Sequence, residues 1–478
     1  MRTLFVRNSL SGKREQIVPI QPGHIGLYAC GVTVYDDCHI GHAMQAIFFD
    51  VMRHYLEFAG YKVTYVRNYT DVDDKIIQRA QERNMSPKDL AETMIKSSEN
   101  DMLALGVTPP THAPKVSESI NDIIELIETL IQKDAAYSVQ GDVYYRVRSK
   151  KDYGKLSNRH IDDLRSGARI AQGDIKEDPL DFALWKADTT KDASWKSPWG
   201  QGRPGWHIEC SAMSHKILGP QFDLHGGGRD LIFPHHENEI AQSESAHGCQ
   251  YAKYWLHSGL LTIQHQKMSK SLGNSITIQK FLEQWPAEVL RIAYLHNHYA
   301  SNVDLSNEVF SRCLRKLIYA YETLCRLHVS LKDTPKSEGL ADTEEEFHKC
   351  MSDDFNTPVA MSIVNQSLKL INRLLAKKPT PENIKILSQH AHTLKSIGQV
   401  LGLFQAEPQS FLKTLRARLL SEIGLQEAEI QNKISERNQA RSDKNWAESD
   451  RIRDELLKHG ILICDHQTGT TWSVQPEE

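Results

Sequence analysis

Ile25-Gly26-Leu27-Tyr28-Ala29-Cys30, a loop reaching His42, a helical repeat over 43–58 and a second apolar run at 62–66 form the stretch that decides the fold. The first run is bounded by glycine and reads as a buried strand. Ile47, Val51, Tyr55 and Phe58 recur at helical spacing, and Gly60 stops the helix. Two strands joined by a crossover helix pair in parallel, so the unit predicts a sheet of the nucleotide-binding α/β kind. In such sheets ligands sit beyond the carboxyl ends of the strands, where residues 30–42 fall.

Downstream the pattern changes several times. Ile120, Ile123, Ile124, Ile127, Leu130 and Ile131 mark an amphipathic helix, followed by a strand-like 142–147 and a polar stretch rich in Asp, Lys, Ser and Pro. Residues 116–204 therefore read as an insertion between two halves of the sheet domain, 1–115 and 205–286. From 287 to 405 glycine is scarce, and Leu314, Leu317, Ile318, Tyr321, Leu324 and Leu327 predict a helical bundle. Residues 406–478 read as two more helices and two short strands, 461–464 and 471–474. The fold expected is α/β: a Rossmann-type parallel-sheet domain with an inserted connective domain, then an α-helical bundle and a small C-terminal α/β piece.

Composition narrows the possibilities. The chain has 478 residues, and 57 Lys+Arg against 61 Asp+Glu gives a formal charge of −4. That balance excludes holding nucleic acid by bulk charge, though not by a local basic face. No apolar run approaches the roughly 18–20 residues that span a bilayer. The first fifteen residues turn polar too soon for a signal-peptide core. Eight cysteines spread along the chain suit free thiols or metal ligands in a reducing cytoplasm better than a disulfide framework.

Two motifs carry chemistry. In Cys38-His39-Ile40-Gly41-His42, imidazoles three residues apart share a face at a helix N-terminus, where backbone N–H groups and the dipole favour phosphate. Gly41 would let a base or ribose reach the backbone. Alone, the pattern also reads as surface histidines beside a turn. Lys267-Met268-Ser269-Lys270-Ser271, running into Leu272-Gly273-Asn274, could form a loop that closes on polyphosphate and stabilises charge on transferring oxygens. Alone, it also reads as a solvated basic loop.

Taken together, an H-I-G-H near the start, K-M-S-K-S about 225 residues later and a helical last third resemble the class I aminoacyl-tRNA synthetases. Within them the chain resembles the cysteinyl-tRNA synthetase family. The residues behind that are Cys30-Gly31-Val32-Thr33-Val34-Tyr35-Asp36, the segments 67–75 and 202–211, and His225-Gly226-Gly227-Gly228-Arg229-Asp230 running into Phe233-Pro234-His235-His236-Glu237-Asn238-Glu239.

The resemblance implies a chemistry and a set of partners. L-cysteine would attack ATP to give cysteinyl-adenylate and pyrophosphate, and the cysteinyl group would pass to the terminal ribose of tRNA-Cys. His39 and His42 would steady the phosphates; Lys267 and Lys270 would close over pyrophosphate. ATP would also meet Gly41, Gly226, Gly227 and Asp230, and Mg²⁺ would arrive with it. One Zn²⁺ would be held by Cys30, Cys210, His235 and Glu239, and a zinc–thiolate bond would reject serine and alanine where pocket shape discriminates poorly. From spacing alone a buried thiol beside satisfied histidines is the competing reading, since Cys30 and Cys210 lie 180 residues apart. Pro234 suits a first helical turn, which puts His235 and Glu239 on one face and turns His236 and Glu237 elsewhere.

Thr70, Trp206 and His225 match positions lining the amino-acid pocket. Asp71, Asp73 and Asp74 read as helix capping rather than a Mg²⁺ site. Arg437, Arg441 and Trp446, cations around an aromatic, suit single-stranded RNA, and the resemblance leans to a monomer. A ligase joining cysteine to an amino sugar, and a non-catalytic relative, are the rival readings.

Overall fold

The computed structural model describes residues 1–161, 175–188, 193–267, 275–332, 334, 338–466 and 469–474. The chain divides into two compact units: Met1–Glu283 with Tyr294–Asp304 and His348–Ala360, and Gln284–Ala293 with Leu305–Phe347 and Met361–Glu478.

The first unit begins with a hairpin, β1 (Phe5–Arg7) and β2 (Arg14–Gln16). The decisive stretch follows as β3 (His24–Thr33), α1 (Ile40–Phe58) and β4 (Lys62–Thr70), with β3 and β4 parallel. Both strands run longer than the apolar patterns that predicted them. The helices α2 (Asp74–Glu82) and α3 (Pro87–Ala104) come next. Asp73 caps α2 by accepting from Lys75 N, as expected of that acidic run.

The helix α4 (Ile120–Gln132) leads into a five-stranded antiparallel sheet made of β5 (Ala136–Val139), β6 (Asp142–Tyr145), β7 (Phe182–Ala187), β8 (Trp195–Ser197) and β9 (Gly200–Pro204). Its order is β5-β6-β7-β9-β8. Sequence reading found β6 and missed the other four strands. Then come α5 (Trp206–Leu218), β10 (Phe222–Gly228), α6 (Glu237–His247) and β11 (Ala252–Ser258). The strands β10 and β11 complete a parallel sheet of order β11-β10-β3-β4. One core cluster joins Ile123, Ile127 and Leu130 of α4 to Tyr145, Trp185, Ile208 and Met213. The antiparallel sheet and α5 therefore share their apolar interior.

The second unit is helical. Asn307–Ser330, Pro381–Leu401, Pro408–Glu422, Glu427–Ser442 and Trp446–Lys458 are among its long helices, with most of Thr357–Leu375, and the antiparallel pair Ile461–His466 and Gly469–Val474 follows. Tyr321 stacks on Phe411 with centroids 3.8 Å apart, and the buried Arg291 donates to the carbonyl of Leu401 at 3.1 Å.

Candidate active site

The carboxyl ends of β3 and β10 carry the site, as the topology requires. His39 is the N-cap of α1: its Nδ1 accepts from Gly41 N at 3.1 Å, and its own N–H donates to His42 Nδ1 at 3.3 Å. The two rings stack with centroids 3.7 Å apart, so the three-residue spacing does place them on one face. The segment after the lysine motif is tied to the same turn. Ile40 N donates to Ile276 O and Ile278 N to Cys38 O, each at 3.0 Å. Lys267 ends a two-residue strand whose backbone pairs with Thr262. Lys270 lies outside the described residues, as does the side chain of Lys267.

Between β3, α5 and α6 lies a fully buried cluster. Cys30 Sγ stands 3.8 Å from Cys210 Sγ, 3.4 Å from Glu239 Oε1 and 3.3 Å from His236 Nε2. His235 Nε2 is 3.1 Å from Glu239 Oε1. The other carboxylate oxygen lies 2.8 Å from His225 Nε2 and accepts from Tyr251 OH at 3.0 Å. The four predicted ligands, Cys30, Cys210, His235 and Glu239, present donor atoms all within 4.8 Å of one another.

A second set, Cys30, His225, His236 and Glu239, meets the same limit. His236 thus faces the cluster, contrary to the expectation that it turns away. The reason is local: Ile232–His236 form a π-type turn with Phe233 at non-helical φ/ψ, so regular helical spacing begins only at Glu237. Glu237 does turn away, accepting from Leu156 N and Ser157 N.

The electrostatics suit a cation. Burial pushes the Glu239 carboxyl up, but His225 and His235 against it outweigh that and hold it well below the usual carboxylate range. Hydrogen bonding from Cys30 brings the Cys210 thiol down to about 6 against the effect of burial. Burial pushes His235 down, yet Glu239 beside it carries it up to about 10. Burial lowers His207 and His236 well below the ordinary range, so both are neutral. The negative charge that holds a proton on His235 would equally hold a cation in its place, and a thiolate, a carboxylate and the deprotonated imidazole are then the donor set of a thiophilic divalent metal, which these residues fit.

The wall next to this cluster is aromatic and polar. Trp206 is 40% exposed and lies over His235 with ring centroids 4.3 Å apart. His207 Nδ1 is 3.0 Å from His235 Nδ1, and His225 stacks on Trp255 with centroids 4.3 Å apart. Thr70 donates to Glu209 Oε2 at 2.9 Å. Glu209, fully buried and pushed well above the carboxylate range by burial, was not anticipated; its place within Gly205-Trp206-His207-Ile208-Glu209-Cys210 was the available signal. Gly226 and Gly227 lie in β10 just before its last residue, Gly228, and a Cβ on Gly227 would meet the His236 ring at 2.7 Å. Asp230 follows, exposed to solvent.

Residues 16–315 match the model of the class I (C) tRNA synthetase catalytic domain. The chain is 46% identical over 480 residues to a cysteine–tRNA ligase of Syntrophotalea carbinolica, covering 99% of this chain and 100% of that one. The chain belongs to the cysteine–tRNA ligase family. It thereby groups with the class I aminoacyl-tRNA synthetases, which are ligases.

Two further family models match: the DALR domain at 346–405 and the cysteinyl-tRNA ligase anticodon-binding domain at 427–472. A family member from a Marinomonas species is 47% identical over 473 residues, covering 98% of this chain and 99% of that one. Among solved structures, the chain is similar in fold to Mycobacterium tuberculosis methionyl-tRNA synthetase with methionyl-adenylate: TM-score 0.57, 14% identity, 79% of this chain and 90% of that one. It is also similar in fold to an Agrobacterium radiobacter leucyl-tRNA synthetase solved with tRNA and LeuAMS: TM-score 0.61, 10% identity, 81% and 85% covered.

Within the anticodon-binding match, Trp446 is 59% exposed at the start of its helix. Arg437 differs from expectation. It is 5% exposed, and Asp465 takes its guanidinium bidentately at 2.9 and 2.8 Å, which commits it to holding the terminal strand rather than facing RNA. Arg441 also pairs with Asp465 but stays partly in solvent.

Proposed function

We propose that the chain activates L-cysteine with ATP, releasing pyrophosphate, and transfers the cysteinyl group to the 3′-terminal ribose of tRNA-Cys. The observations that carry this are the convergence of Cys30, Cys210, His235 and Glu239 and the stacking of His39 on His42 at the N-terminus of α1, the helix that follows the strand bearing Cys30. A Zn²⁺ ion held by those four residues supplies affinity for the thiolate form of an amino-acid sulfur. Trp206, Thr70 and His225 bound the amino-acid pocket. Tyr251 and His225 fix the outer oxygen of Glu239, which leaves Oε1 turned toward the thiols.

Activation needs no protein nucleophile. The substrate carboxylate attacks the α-phosphate, and the chain contributes position and charge. His39 and His42 steady the phosphates. Gly41, Gly226 and Gly227 let adenosine approach the backbone, Asp230 meets the ribose, and Lys267 and Lys270 close over the departing pyrophosphate with its Mg²⁺. Trp446 and Arg441 meet unpaired RNA. The match at 427–472 supports a tRNA acceptor over an amino sugar.

We place the protein in the cytoplasm as a monomer. No helix among the described residues is long and apolar enough to cross a membrane. Two assays test the reading: ATP–pyrophosphate exchange that requires cysteine, and charging of a tRNA-Cys transcript. Exchange supported equally by serine, or charging of an amino sugar in place of the transcript, contradicts it.

A further inference from the structure

A cavity of about 490 Å³ opens in the first unit beside β11, and the residues around it have no part in the chemistry described above. Arg7, from the end of β1, and Arg229, just after β10, both line it. Arg229 donates to the carbonyl of Ala300. Among the described residues neither guanidinium forms a salt bridge, and both side chains are solvent-exposed. The carboxylate in the wall, Asp354, is already engaged: it accepts from Arg7 N at 2.9 Å and Tyr299 OH at 2.7 Å and lies 3.5 Å from His298 Nε2. The cavity therefore presents two guanidinium forks against the single carboxylate of Asp354, and the guanidinium is the group best shaped for phosphate oxygens.

Its position selects among phosphates. Arg229 directly follows the carboxyl end of β10, and Ser9, another wall residue, lies 2.8 Å from Nδ1 of His257 on β11. His257 Nε2 is in turn 2.8 Å from His236 Nδ1, and His236 faces Cys30. His257 itself lines the cavity, so the wall is two such links from the buried cluster, on the ligand-binding end of the sheet. β11, which supplies His257 to the cavity wall, is the edge strand of the sheet, whereas His39 and His42 stand at the N-terminus of α1, the helix that follows β3, and Gly226 and Gly227 lie on β10, where Gly227 pairs with His257. A phosphate chain on its way to the reacting carbon, adjoining the ATP site at Gly227 and Asp230, fits that place.

We propose that Arg7 and Arg229 bind the sugar–phosphate backbone of the substrate RNA near its acceptor end. This rests on the function proposed above. The two guanidinium groups position the RNA by its phosphates, read no base, and take no part in amino-acid activation.

Direct binding of a tRNA-Cys transcript, titrated over a range of salt, tests it for Arg7→Ala, Arg229→Ala and Arg229→Lys. Cysteine-dependent exchange without RNA is run in parallel, so failure of the parent reading shows in the wild-type exchange while binding still reports on the cavity. Each alanine variant should raise Kd about fivefold to tenfold and flatten the slope of log K against log salt by about 0.7–0.9, with exchange unchanged. Arg229→Lys should keep the slope. Unaltered Kd and slope in both alanine variants overturn the proposal. So does a fall in exchange equal to the loss of binding, which assigns the cavity to ATP.

Discussion

Gly31 and Cys30 are neighbours on β3 with opposite demands. Cys30 must bring a thiol into a closed space, and Gly31 must let β4 come close: a Cβ there would stand 1.6 Å from the Asn68 carbonyl oxygen, while Asn68 Oδ1 accepts from Gly31 N at 2.8 Å. Gly31→Ala should destabilise the protein by about 3 kcal/mol and misplace Cys30, seen as a lower melting temperature and lost exchange activity. Trp206 is the converse case. Its exposed ring covers His235 without anchoring the core, so Trp206→Ala should raise KM for cysteine about tenfold in the exchange assay and leave melting nearly unchanged. Individual residues were read well where a motif fixed them in a regular element, as with His39 and His42. His236 was misread because a π-type turn breaks the helical count just before Glu237.

At the level of elements, α3 joins the two motif segments. Ser97 donates to Asp37 Oδ1 at 3.1 Å, and Gln279 Nε2 donates to Ser97 Oγ at 3.2 Å, so one helix reaches both the turn before α1 and the helix after the lysine loop. Asp101, one turn further along, is 4% exposed with Oδ2 unpartnered. Burial pushes its carboxyl up to about 6. The folded chain therefore keeps a proton between about pH 4 and 6 that the unfolded chain releases, so this group costs nothing below pH 4 and weakens the fold as pH rises through 6. Asp101→Asn should raise the melting temperature at pH 8, by about 3 kcal/mol of stability at most, and leave it unchanged at pH 4.

The strand–helix–strand unit was legible because its apolar run and helical repeat are uninterrupted. The strands β7 to β9 were not, because segments such as Gly200-Gln201-Gly202-Arg203-Pro204 lack strand-forming side chains and are held by cross-strand pairing with β7 and β8.

Across the whole molecule, residues 30, 210, 235 and 239 meet through topology rather than spacing. Parallel pairing sets β3 beside β10, and α5 and α6 deliver Cys210 and Glu239 to the same end. No local pattern records that convergence, which is why the resemblance to a family, and not the spacing, pointed to a metal. The RNA-facing end is separable from it: Trp446→Ala should lower the efficiency of tRNA-Cys charging about tenfold to a hundredfold while cysteine-dependent exchange stays intact, and loss of both would mean a folding role.

Selection of cysteine by the buried thiolate–imidazole–carboxylate cluster is tested most directly by exchange with cysteine and with serine before and after metal is stripped, metal content being verified by atomic absorption. Stripping should abolish exchange with cysteine, added Zn²⁺ should restore it, and serine should stay inactive throughout. A metal-free protein that still activates cysteine and still refuses serine would contradict it.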